Sequence, residues 1–502
     1  MAAIFILLAW LSGFINVAAQ TVLLDVVYPR LEGRDTVLVM PRVDSTFAFG
    51  SVQPADSRIY VNGAPAQIWQ NGAFLAFVAL DTFSRRFDFI AISPAGDSVH
   101  RTIPFRLMSA AGAAGEIPKP HPLNRQLPAR ITISQEHAAL RTSPDGAYTL
   151  LPLSGSVALA DSFVSPYYRV RLSGNLHVWV EERFATLDTT KHEAPAVVLH
   201  RLQVRGGDPW TRMEIPMAEP ILFQLEEDPE IGCLTLDLYG AVSGINRIDY
   251  DPGDPVIKEI RWTQLQDEIL RLEIFLNGMR LWGYGAAWEG DPGREDELAL
   301  VIKIRRPPRI EKHVLKNRTI VLDPGHGGMQ PGAVGPTRLL EKEPNLKLAL
   351  KLQALLEKRG ARAILTRSSD STAELYDRVD YAIAQGGEIL ISLHNNALSD
   401  GENPFWKRGS AVYYYHPQSR DLAWILHRYL LQATRLPDYG LYYQNLALAR
   451  PTEMPAVLIE CAFMIHPEEE ALLRKDQFLS KTAAGIAAGL ENFLSRCREE
   501  RQ

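Results

Sequence analysis

Cysteine is nearly absent. The 502 residues hold only Cys233, Cys461 and Cys497, scattered and odd in number, which excludes a disulfide scaffold and a thiolate metal site. No block of lysine or arginine occurs either, and the formal net charge is -6, so nothing recommends a polyanion and a nucleic-acid partner is excluded. Long apolar runs are confined to residues 1–19, "MAAIFILLAWLSGFINVAA", which carry no charged side chain and end with Val17 and Ala19 spaced for a signal-peptidase cut. This stretch lacks a basic residue near Met1 and is short for a permanent span, so it reads as a signal peptide, with an uncleaved anchor as the competing reading. No cysteine follows it, which speaks against a lipoprotein. No second run of spanning length follows, so no transmembrane span is expected after signal removal. The end, "SRCREERQ", has no sorting signal; the expectation is an exported protein, periplasmic and unattached.

What is present divides the chain. At about 150 residues per domain the length suggests three or four domains. Residues 24–107 read as short strands with hairpin signals at Asn62-Gly63 and Asn71-Gly72, giving an Ig-like β-sandwich. Residues 108–128, rich in glycine, alanine and proline, read as a linker. Residues 129–187 are again strand-like and close on Trp179; in length and ending they resemble the small bacterial cell-wall β-barrel of the Src-homology type. Residues 188–308 alternate apolar and polar positions in "CLTLDLYG" and "ILRLEIFL", a strand period. In position and pattern they resemble the amidase-N-terminal (AMIN) domain, with a generic spacer sandwich as the plainer alternative.

From residue 319 strands and helices alternate. Strands are expected at 319–323, 361–366, 388–393, 410–415 and 456–461, with helices at 344–359, 375–385, 419–434 and 468–494. The first helix carries Leu346, Ala349, Leu352 and Leu356 on one face, with Pro344 in its first turn and Gly360 at its stop. The fold class is therefore multidomain: all-β domains followed by a three-layer α/β domain at 317–496.

Chemistry concentrates at the strand ends of that last domain. His326 sits in "DPGHGG", Glu341 fifteen residues later in "LLEK", and His394 at the end of "EILISLH". Two imidazoles and a carboxylate are a suitable donor set for a catalytic zinc that keeps one position open. Glu460, ending the apolar run "AVLIE", is costly to bury unless it serves chemistry, and suits a general base and acid. Each has an ordinary reading, a satisfied structural histidine or a helix-start carboxylate, and their joint occurrence is what favours a site. His416, His427 and His466 have no motif partners and read as surface or core residues.

The segments "TIVLDPGHGG", "PGAVG", "LLEKEPNLKLALKL", "LTRSSD", "YDRVDYA", "ILISLHNNA" and "LALARPTEMPAVLIECAF", in this order, resemble the zinc-dependent N-acetylmuramoyl-L-alanine amidases. That resemblance implies a peptidoglycan hydrolase cutting the amide between N-acetylmuramic acid and L-alanine. It places Zn2+ on His326, Glu341 and His394, the catalytic role on Glu460 and a possible substrate contact on Arg450. Departures fall on Gln330, where the family has aspartate, and on Asn395, where it has a smaller residue. Some relatives plug their site with an inserted helix. Here the short loop 395–409 leaves little room, so an open site is expected, with an activator possible but not required; Phe405 and Trp406 in that loop are read as anchors or as a stacking surface. Two other readings stay open: a non-catalytic cell-wall binding protein, and a zinc peptidase or deacetylase acting on the same polymer.

Overall fold

The computed structural model describes residues 21–31, 35–108, 127–278, 280–291 and 298–499. The expected signal peptide, 1–19, and nearly all of the expected linker, 108–128, lie outside these.

Residues 22–107 form two sheets around a common core, one of four strands and one of five. Arg86–Ile92, "RFDFIAI", shows why: Phe87, Phe89 and Ala91 are buried, the residues between them less so, as the two-residue strand period demands. Asn62 and Gly63 both have positive φ, 51° and 78°, and join two paired strands as a tight hairpin requires. In the Asn71-Gly72 pair only Gly72 does so.

The next stretch, up to Asp188, is one seven-stranded antiparallel sheet. Its core does not stop at its own boundary, because Leu222, Tyr239 and Ile269 of the following unit complete it. That following unit, 197–305, packs a five-stranded sheet on a four-stranded one.

The C-terminal domain holds β1 (Thr319–Pro324), α1 (Lys342–Lys358), β2 (Arg362–Leu365), α2 (Leu375–Ala384), β3 (Ile389–Asn396), β4 (Ser410–Tyr414), α3 (Arg420–Thr434), β5 (Asp438–Tyr443), β6 (Ala456–Phe463), α4 (Pro467–Leu473) and α5 (Asp476–Glu499). The sheet order is β2-β1-β3-β6-β4-β5. β4 runs antiparallel to β6, and its other partner, β5, runs parallel to it. Helices α1, α3 and α5 bury one face, and α2 with the short turn Ala447–Ala449 covers part of the other. Two differences from expectation stand out. β5, "DYGLYY", has no apolar alternation to reveal it, and the run at 468–494 is two helices broken at Arg474-Lys475.

All three β units rest on this domain. Ser45–Gln53 is buried on both faces: Ala48 and Val52 point into the sandwich core, while Phe47 and Phe49 meet Val334, Leu398, Phe405 and Ile465 of the C-terminal domain. Asp400 accepts hydrogen bonds from Tyr28 and Thr46, both 2.5 Å, and Asp25 pairs with Arg338. From the second unit His137 stacks on Tyr376 at 4.2 Å. From the third, Tyr284 donates its backbone N–H to the Thr452 carbonyl at 2.8 Å, and the Gln418 backbone N–H donates to the Glu227 carboxylate at 3.0 Å.

Candidate active site

β1 ends in Asp323-Pro324-Gly325-His326, and His326 itself has φ +61°, a left-handed conformation that costs a non-glycine residue about 1–2 kcal/mol. The loop is held there by two buried arginines. Arg378 donates to the carbonyls of Pro324 and His326 at 3.0 and 2.9 Å; Arg367 donates to those of Pro324 and Gly325 at 2.8 and 2.9 Å. Arg378 also pairs with Asp323 at 2.9 Å, the two side chains being 3% and 1% exposed. Burial would raise the Asp323 carboxyl, but Arg378, Thr366 and Ser392 outweigh it and the pKa is lowered.

Glu341 stands at the start of α1 without capping it through its side chain. Instead the carboxylate turns inward, 4% exposed, and gathers donors. Backbone N–H groups reach it from Ala333 at 2.9 Å and Asn395 at 3.1 Å, and the Asn345 amide reaches it at 3.2 Å. His326 Nε2 and His394 Nδ1 each lie 3.0 Å from its oxygens. Burial favours the neutral acid, yet the two histidines prevail and hold the carboxyl well below the usual carboxylate range. His394 shows the reciprocal effect: burial lowers it, but Glu341 carries it up to about 9.

Two glycines make this convergence possible. A Cβ on Gly325 would stand 2.2 Å from the His394 ring, and one on Gly332, where φ is +72°, would stand 2.5 Å from Glu341 Oε2. The donor atoms of His326, Glu341 and His394 all lie within 4.8 Å of one another, the one such group of three among the described residues. Two imidazoles and an ionised carboxylate so placed fit a zinc ion.

Glu460 lies opposite His394 in the β3–β6 register. Its Oε2 is buried without a hydrogen-bond partner, and burial pushes the carboxyl up to about 8, against the pull of His394. A carboxyl with one buried, unpartnered oxygen beside a cluster that fits a metal ion is an arrangement suited to proton transfer.

The remaining sequence-predicted residues fall elsewhere. Arg450 donates to Asn445 at 2.6 Å and to Tyr376 at 3.1 Å, and its guanidinium lies 5.6 Å from the Tyr148 ring of the second unit. None of these partners belongs to the cluster. Gln330 is exposed in the turn closed by Gly327. Asn395 is buried and donates to Asn345 at 2.7 Å, tying β3 to α1. His416 bonds the Arg450 carbonyl, His427 bonds Asp438, and His466 lies against Trp69. Sequence reasoning missed Asp323, Asn345, Arg367 and Arg378 as site residues. The arginines of "LTRSSD" and "YDRVDYA" were visible as motifs, but no periodicity reveals that an arginine points inward.

Residues 320–492 match the N-acetylmuramoyl-L-alanine amidase family. The chain is 35% identical over 188 residues to the probable cell wall amidase LytH of Staphylococcus epidermidis, covering 37% of this chain and 62% of that one. For the Staphylococcus aureus protein of the same name the figures are 35% over 187 residues, 37% and 61%. The chain thus spans about three-fifths of the length of these curated relatives. Among solved structures, the catalytic domain of CwlV, an N-acetylmuramoyl-L-alanine amidase from Bacillus (Paenibacillus) polymyxa var. colistinus, is 35% identical, covering 36% of this chain and 98% of that one, with a TM-score of 0.34. The segment 320–492 therefore belongs to the N-acetylmuramoyl-L-alanine amidase family.

Proposed function

We propose that the protein is an exported peptidoglycan hydrolase that cuts the amide between N-acetylmuramic acid and L-alanine, with His326, Glu341 and His394 holding zinc and Glu460 acting as general base and acid. The observation that carries this is the meeting of the three donors with Glu460, whose Oε2 is buried and unpartnered, one strand away. Zinc held by these side chains would polarise the scissile carbonyl and lower the pKa of water to about 7. Glu460 takes the proton from the attacking water and returns it to the alanine nitrogen as the C–N bond breaks. The Arg378 and Arg367 donors keep His326 in its left-handed conformation, so the donor set is formed in advance of substrate.

The loop after β3 supports a site that works without release by an activator. Asp400 and Phe405 bind it to the N-terminal sandwich, and His326 keeps 31% of its side chain exposed. Arg450, through Tyr376 and Tyr148, supports the seam with the second unit. The β units, read as Ig-like, small-barrel and AMIN-like domains, would direct the enzyme to the wall. No helix among the described residues is long and apolar enough to cross a membrane. Digestion of purified peptidoglycan tests the proposal. Stem peptides with free L-alanine amines should be released by the wild type, and not after chelation or in Glu460→Gln; other new termini, or none from zinc-loaded wild type, would reject it.

A further inference from the structure

The sheet face that carries His394 and Glu460 continues past the cluster to the sheet edge. Ala411 lies opposite Glu460, Tyr413 follows it on the same face of β4, and Tyr442 on β5 lies opposite Tyr413. One and two strand spacings, about 5 and 10 Å across the sheet, therefore separate β4 and β5 from the strand of the catalytic carboxyl. Helix α2 covers this face at β1, β3 and β6, but over β4 and β5 the cover is aromatic. Tyr413 stacks on Tyr442 at 5.1 Å, Tyr439 lies 5.6 Å from Tyr442, and Tyr439 meets Phe463 edge-on at 4.9 Å.

These rings are fixed in place yet not all hidden. The Tyr442 hydroxyl donates to the Tyr439 carbonyl at 2.6 Å. Gly440, with φ +140°, has no Cβ because one would stand 2.8 Å from the Tyr442 ring. Tyr442 nevertheless remains 37% exposed. At the inner end Tyr413 is 8% exposed, its hydroxyl lies 3.4 Å from the Asn396 amide, and the Glu460 charge, after burial, raises its pKa. A fixed aromatic surface binds an apolar ring face with little loss of side-chain freedom. The flanking charges, Lys407 and Glu402, pair with each other, so the surface offers rings in preference to ions.

We propose that Tyr442, backed by Tyr413 and Tyr439, forms a saccharide-stacking subsite that seats the glycan strand beside the scissile amide. This rests on the amidase reading. The glycan fits better than the stem peptide, because pyranose rings present C–H faces to aromatic rings, whereas the peptide's carboxylates would call for an unpaired cation. Continuity of the face with Glu460 sets the direction: the strand runs from the cluster toward the β5 edge, over Ala411 and Gly440.

The full chain is to be titrated with chitotetraose, a soluble β-1,4-linked N-acetylglucosamine tetramer, alongside Tyr442→Ala and Tyr442→Phe, with thermal unfolding as a control for folding. Tyr442→Ala should weaken binding roughly tenfold, and Tyr442→Phe, which keeps the ring, by less than about twofold. On peptidoglycan Tyr442→Ala should raise KM and leave kcat near wild type. Wild-type affinity in Tyr442→Ala, equal losses in both variants, or no tetramer binding while peptidoglycan is hydrolysed would overturn the subsite. Tetramer binding that depends on the ring, without hydrolysis by the wild type, would reject the amidase reading and leave the subsite standing.

Discussion

Replacing Arg378 by methionine tests the idea that a buried ion pair, and not the glycines alone, holds the metal loop. Arg378 and Asp323 are almost fully buried and 2.9 Å apart, and Arg378 also supplies the carbonyls of Ala373, Pro324 and His326. Arg378→Met leaves the Asp323 carboxylate with only Thr366 and Ser392 as partners. Removing one member of a buried pair costs about 3–5 kcal/mol, which lowers Tm by roughly 10 °C in a domain of this size. The His326 carbonyl loses a donor while its φ of +61° stays unfavourable, so zinc affinity should fall by about 10- to 100-fold, as is usual when a group behind a ligand is removed. Circular dichroism reads the first effect, and competition with a chromogenic zinc chelator the second. The double variant Asp323→Leu/Arg378→Met separates them. It removes both charges of the pair and should recover stability relative to Arg378→Met, while its zinc affinity stays low because the His326 carbonyl still lacks the Arg378 donor. If Arg378→Met binds zinc within about twofold of wild type, or if the double variant restores affinity together with stability, the loop does not depend on this pair.

Gly325→Ala should abolish tight zinc binding while the β units stay folded, because its Cβ would stand 2.2 Å from the His394 ring; metal analysis after dialysis checks this, and full occupancy would refute it. Asp400→Ala removes the acceptor for Tyr28 and Thr46 and should make the β3–β4 loop more sensitive to limited proteolysis, with peptidoglycan hydrolysis retained. Burial raises the Glu227 carboxyl from 4.5 to about 7 against the Gln418 N–H. A folded pKa above the unfolded one means that the stabilising contribution is complete below about pH 4.5 and is lost as pH rises through about 7. The third unit should therefore dock more firmly in acid. Glu227→Gln should reduce the fall in Tm between those limits, and an unchanged pH profile would refute this.

Residue order alone determined the local features. Alternating side chains specify strands such as Ile269–Leu276, which is buried at Leu270, Leu272 and Ile274. The buried run 319–323 ending in Asp-Pro-Gly sets a strand followed by a loop, and the three- and four-residue spacing of Ala349, Leu352 and Leu356, all buried, sets α1, although the expected Leu346 is only half-buried and Leu348 takes its place in the core. The donor types were legible as well, because imidazole and carboxylate at strand ends are chemically unusual wherever they occur. Long-range partners were not legible. Strand β5 pairs on one side only and needs little apolar alternation, so its pattern was silent until β4 was beside it. The inward turn of Glu341 depends on donors from Ala333, Asn345 and Asn395, and that of Arg378 on carbonyls some fifty residues away. Neither follows from a periodicity that reports only which face is apolar. Likewise Phe47 and Phe49 read as one more strand, and only packing reveals that their face binds the catalytic domain. Tertiary structure decides such matters because a buried polar or aromatic group takes its place from whatever satisfies it in space, and sequence distance carries no trace of that partner.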